Sequence, residues 1–106
     1  MWSIEFLNDE VRLEMVHLPR DMQAKFEHIT LMIRDFGLEK VREPYVKHVE
    51  GKIWEIRLKG RSGIARSLYV TTSGKRLVVV RTFVKKNQQT PRKEIEIALE
   101  RAKEVK

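Results

Sequence analysis

No cysteine occurs among these 106 residues, so neither a disulfide nor a thiolate metal ligand can hold the fold, and packing must do it. That absence fits a reducing cytosol. No apolar run approaches the roughly 18 residues of a membrane span. The opening Met1-Trp2-Ser3-Ile4-Glu5 does not read as a signal peptide. The expectation is a cytoplasmic protein with no membrane partner. Phosphate-binding glycine loops, nucleophile elbows and zinc-ligand pairs are also absent, which leaves few enzyme classes to consider and points to no cofactor or metal.

Acidic residues are the most unevenly missing. From Lys52 to Lys93 twelve Lys/Arg stand against one acid, Glu55, a net charge of +11, while the rest carries ten Lys/Arg and fourteen Asp/Glu, net −4. A basic segment of this kind attracts phosphate-bearing partners by long-range field and counterion release. At 106 residues the chain has room for one domain and one modest core, taken here as residues 1–106.

Along the chain, Trp2 to Leu7 alternates as a short strand. Asn8 or Asp9 can cap a helix running to about Leu18, with Val11, Met15 and Leu18 on one face. Pro19 interrupts it. A second helix starts at Asp21, with Met22, Phe26, Ile29, Ile33 and Phe36 at helical spacing and Gly37 as its stop. Leu38 to Gly51 reads as a connection holding at most a short helix or an extended piece. Beyond Gly51 the period becomes two: Trp54, Ile56 and Leu58 alternate with Glu55, Arg57 and Lys59. Gly60-Arg61-Ser62-Gly63 is a loop, Ile64 to Thr72 a strand, Ser73-Gly74 a hairpin turn, and Lys75 to Val84 a strand apolar on both faces at Leu77 to Val80. Thr90 then caps a closing helix with Pro91 at its first position and Ile95, Ala98, Leu99 and Ala102 as its apolar stripe. The order β-α-α-β-β-β-α predicts an α+β fold, an antiparallel sheet with two N-terminal helices on one face and a C-terminal helix, the other face being open to bind.

The candidate chemistry lies in basic residues at strand positions. Arg57 points away from the Trp54/Ile56/Leu58 face, Arg66 lies on the neighbouring strand, Arg81 falls late in the next, and Lys85 and Lys86 sit at its end. Strict alternation puts Arg66 with Ile64, Leu68 and Val70, so either a bulge re-aims it or that strand is apolar on both faces. Taken singly, each is an ordinary solvated charge; their grouping carries the reading. His17 and His28 fall on helices as surface or core-edge residues, and His48 lies near the strand rim.

The runs Leu18-Pro19, Gly51-Lys52-Ile53-Trp54-Glu55-Ile56-Arg57, Gly63-Ile64-Ala65-Arg66-Ser67-Leu68-Tyr69 and Phe83-Val84-Lys85-Lys86-Asn87-Gln88-Gln89-Thr90-Pro91 together resemble the RelE/HigB superfamily of type II toxins, in its phage-derived HigB-like branch. The resemblance implies a RelE/ParE-like fold and a toxin that enters the ribosomal A site and cleaves mRNA there, the ribose 2′-hydroxyl attacking the adjacent phosphate without a metal. It implies Arg57, Arg66, Lys85 and Lys86 as catalytic, with Lys52, Lys59, Arg61, Arg81 and Arg92 binding RNA. Its partners would be a cognate antitoxin of the helix-turn-helix kind and the ribosome, through rRNA and A-site mRNA. The general base stays open between a lysine whose pKa its cationic neighbours lower and His48. Some relatives place a tyrosine or histidine near the C-terminal end, and this chain has neither after Tyr69. Two other readings remain: a gyrase poison of the ParE branch, and a non-catalytic module that reads RNA shape.

Overall fold

In the computed structural model, which describes residues 1–86 and 89–106, Ser3–Phe6 forms β1 and Asp9–Val16 forms α1. Asn8 caps α1, its side-chain oxygen accepting the Val11 N–H at 3.0 Å. Pro19 stands at the N-cap of α2, Arg20–Phe36, because a residue without N–H loses nothing where helical donors are unpaired anyway. Gly37 ends α2 at φ 89, a left-handed value that favours glycine, and its N–H closes on the Ile33 carbonyl. A 3-10 turn, Leu38–Lys40, follows. The strands are β2, Val46–Glu50; β3, Ile53–Gly60; β4, Gly63–Thr72; and β5, Arg76–Lys85; α3, Arg92–Ala102, closes the fold.

The sheet runs β1-β5-β4-β3-β2, antiparallel except where β1 pairs in parallel with β5. The expected α+β order is present, with two additions. The stretch from Leu38 to Gly51 supplies an edge strand, β2, and the first strand joins the sheet at the far edge beside the last. Neither follows from local pattern, since β1 has no hairpin turn to name its partner.

Strand alternation sends side chains to two faces. Val11, Met15, Met22, Phe26, Ile29 and Ile33 of α1 and α2 pack on Ile56, Leu58, Ala65, Tyr69, Leu77 and Val79. Ile53, Leu68, Val70, Val78, Val80 and Phe83 face the other way and meet Ala98, Leu99 and Ala102 of α3. The second face is therefore not open along its length. α3 covers one end, and the free part is the end toward Arg57 and Lys85, with Arg66 itself buried on β4 between them. Phe36 departs from the predicted apolar stripe: it is 65% exposed, beside Met32 and Tyr45.

The question over Arg66 resolves in favour of a strand buried on both faces. Leu68 pairs with Arg81 and Tyr69 with Val79, so the extra residue, Val80, lies in β5 and not in β4. β4 keeps strict alternation, and Arg66 shares its face with Leu68 and Val70.

Beyond Val79, β1 no longer covers the edge of β5. Side chains take over there: the Val80 carbonyl accepts Arg101 Nη1 at 2.9 Å and the Thr82 N–H donates to Glu14 Oε1 at 3.0 Å. Glu14 also accepts from Arg81 and Arg101, tying α1 to α3 around the edge. The edge thus presents fewer unpaired backbone groups to another chain. Among the described residues no helix is long and apolar enough to cross a membrane.

Candidate functional site

Register brings the cationic positions together. Arg57 and Arg66 are direct partners across β3 and β4, Arg66 pairs with Phe83, and Lys85 pairs with Ile64. Because all three side chains leave the sheet on the α3-side face, three strands contribute to one patch. Lys47 of β2 pairs with Glu55 and so joins it from the fourth.

Glu55 organises the patch from below. It is 1% exposed, and its Oε1 accepts from Arg66 Nη1 at 2.9 Å and from Thr90 Oγ1 at 2.9 Å. Arg66 Nη1 also donates to Thr90 Oγ1 at 2.6 Å and lies 2.8 Å from Glu55 Oε2. A buried charge persists only when paired and hydrogen-bonded, and here Glu55 and Arg66 pair with each other and share the Thr90 hydroxyl. The arrangement fixes the guanidinium in one place.

This triangle corrects the reading of Thr90. Pro91, not Thr90, occupies the N-cap of α3, and no side-chain cap bond is made there. The Thr90 hydroxyl instead accepts from Arg66 and donates to Glu55, fastening the start of α3 to the buried pair.

Arg57 is half-buried and, among the described residues, has no acidic partner. Lys85 is held below its ordinary 10.5, first by burial, then by the charges of Arg66 and Arg57, with Glu55 opposing and Lys47 adding to the effect. A lysine in this setting is more readily neutral than an isolated one. Lys86 is exposed beside it. Asn87 and Gln88 of the closing segment lie outside the described residues.

The remaining basic positions divide. Lys52, Lys59 and Arg61 are exposed on β3 and its flanking turns. Arg81 lies away from the patch, held by Glu14 and Glu94 at 2.7 Å each. Arg92, at the start of α3, pairs with Glu50. His48 is partnered with Trp54 across β2 and β3 and so leaves the sheet on the face opposite Lys47 and Glu55, its Nε2 2.8 Å from the Gly51 carbonyl oxygen. It is on the wrong side to act with Arg57, Arg66 and Lys85. Sequence reading missed Lys47 and the anchoring role of Glu55. The single acid in a basic run was the one visible signal of the latter.

The patch offers two fixed or half-fixed guanidinium groups and one amine with a lowered pKa. Such a set can hold phosphate oxygens, offset charge that builds on phosphorus and exchange a proton. Among the described residues no cluster of His, Asp or Glu suited to a metal ion occurs. Compared with known families, residues 13–103 match the one described as Phage derived protein Gp49-like (DUF891). A search among curated proteins finds no match.

Proposed function

The chain belongs to the phage-derived Gp49-like family, which is toxin-like, and we propose that it is the toxin of a type II toxin–antitoxin pair and cleaves mRNA on the ribosome. The observation that carries this reading is the convergence of Arg57, Arg66 and Lys85 on one end of the sheet face, Arg57 and Lys85 half-buried and Arg66 buried beside them. In the reaction, the ribose 2′-oxygen bonds to the adjacent phosphorus and the bond to the 5′-oxygen breaks. Lys85 in its neutral form takes the 2′-hydroxyl proton and then returns it to the departing 5′-oxygen. Arg66, fixed by Glu55 and Thr90, and Arg57 beside it offset the extra charge of the pentacoordinate phosphate. Pre-set charge of this kind is worth most because no reorganisation is needed as the reaction occurs. Lys86 and the exposed Lys52, Lys59 and Arg61 would steer the domain toward rRNA. A cognate antitoxin would restrain the toxin, for which an acidic segment lying over the cationic patch is the complementary shape.

The test is direct. Purified protein is added to translating ribosomes and, separately, to the same mRNA free in solution, and new 5′ ends are mapped. Cleavage on ribosomes with little on free RNA is expected. Intact mRNA with gyrase-dependent DNA damage would overturn the nuclease reading in favour of the ParE branch.

A further inference from the structure

On the opposite face, past the end of the helix layer, lies a cavity of about 690 Å³ that the cleavage chemistry does not use. Its aromatic lining is Trp2, His48, Trp54 and Tyr69, and Glu39 and Glu43 stand on its wall. Trp54 is 41% exposed although it sits in a strand whose neighbours Ile53, Glu55 and Ile56 are buried. The His48 ring meets it edge to face at 5.0 Å between centroids. His48 is in turn tethered to the Gly51 carbonyl, so the indole is braced from one side and open on the other. Tyr69 is buried beneath, and burial pushes its hydroxyl well above the usual tyrosine range, so it remains a neutral donor.

Two features distinguish this cavity from an ordinary surface dent. First, its volume lies in the range of small-ligand sites, roughly 300–1,000 Å³. Second, it reaches the sheet edge from which Lys47 also acts on the cationic patch. Lys47 lines the cavity and also acts electrostatically on Lys85. The cavity and the patch lie on opposite faces of the sheet, and β2 is the edge strand on that side. A polyanion bound on the patch can pass around the β2 edge and bring its next unit to the aromatic wall.

From this we infer that the cavity receives an unstacked base of single-stranded RNA, the nucleotide flanking the one whose phosphate rests on the cationic patch. Aromatic side chains take up bases by stacking, whereas phosphates go to the basic groups. The Glu39 and Glu43 carboxylates are acceptors only, so they pair with base donors: the exocyclic amine of adenine, cytosine or guanine, which offers two N–H bonds, or the single N3–H of uracil. The site would therefore favour a base with an amino group, whose two N–H bonds can meet both carboxylates, over uracil, whose one N–H can meet a single carboxylate. This inference rests on the reading of the patch as an RNA-phosphate site.

Both tryptophans of the chain line the cavity, so intrinsic fluorescence reports on it alone. The experiment uses a dye-labelled octaribonucleotide, 2′-O-methylated throughout to block attack, titrated into the full chain with anisotropy and tryptophan emission read together. Adenine-rich and all-uracil versions are compared. Emission is expected to fall in step with binding, with the adenine-rich strand bound more tightly. Trp54→Leu should weaken binding about tenfold, the scale of one lost stacking contact. His48→Ala, at an exposed position, is the second variant and should weaken it less. Binding with unchanged emission, and with wild-type affinity in Trp54→Leu, overturns the base site and leaves the phosphate patch standing. No binding of either strand also overturns it, as does a cavity that serves a protein partner instead. Mapped cleavage on ribosomes without quenching removes the base site alone. Quenching without cleavage keeps the base site and removes the nuclease.

Discussion

Glu55 and Arg66 are joined within the sheet, carboxylate Oε1 to guanidinium Nη1 at 2.9 Å, while Arg57 stands opposite Arg66 with no acid of its own among the described residues. Two arginines that look equivalent in the sequence thus have different duties. Arg66 is part of the scaffold as well as the patch. Arg57 is poised for a ligand, and its charge adds to that of Arg66 in lowering the pKa of Lys85.

Arg57→Ala and Arg66→Ala are therefore expected to separate. Both should abolish growth arrest. Arg66→Ala leaves the Glu55 carboxylate buried and unpaired, costing about 3–5 kcal/mol in urea unfolding. Arg57→Ala should cost under about 1 kcal/mol. Full toxicity of a folded Arg57→Ala protein would take Arg57 out of the mechanism.

Lys85 sets an expected pH dependence. As a base it acts in the neutral form, so cleavage should rise with pH through its lowered pKa and level off below the 10.5 of an ordinary lysine. Lys85→Arg keeps the positive charge but removes the titration. Its residual cleavage should be low and flat across the same range, measured in single-turnover assays. A profile in Lys85→Arg that keeps the wild-type rise would assign the proton transfer elsewhere. For stability the sign follows from the same shift. The folded chain binds fewer protons than the unfolded one between the lowered value and 10.5, so stability rises with pH in that window.

Glu14 should matter to stability and not to cleavage. It holds Arg81, Arg101 and the Thr82 N–H at the uncovered edge of β5. Glu14→Ala is expected to lower unfolding free energy by about 2–3 kcal/mol, the scale of hydrogen bonds to a charged group. The Thr82 amide should exchange with solvent faster. An unchanged exchange rate there would show that the edge is closed by something else.

Much of the architecture was legible because it is local. The Asn8 cap, the Met22/Phe26/Ile29/Ile33 stripe, the Gly37 stop and the two hairpins each depend on residues a few positions apart, where periodicity and turn chemistry act directly. Arg57, Arg66 and Lys85 were also visible as a group, since strand alternation and hairpin register place them. Thr90 was misread because a threonine before a proline is a good helix cap locally, whereas a buried carboxylate 35 residues earlier competes for its hydroxyl. The face that His48 takes was not legible for a related reason: β2 had no strong pattern, and the face a residue takes follows from pairing.

The sequence by itself determined that the stretch from Lys52 to Lys93 is basic, because charge is carried by composition. Only the tertiary structure decided how much of that charge reaches a ligand. Arg76, Arg81 and Arg92 are met by Glu5, Glu14, Glu94 and Glu50, acids supplied from outside the stretch, and Arg66 by the one acid within it. Ion pairs form between neighbours in space, and a segment's net charge says nothing about which neighbours folding brings. The open cationic surface is accordingly smaller than the sequence implied, and it centres on Arg57 and Lys85.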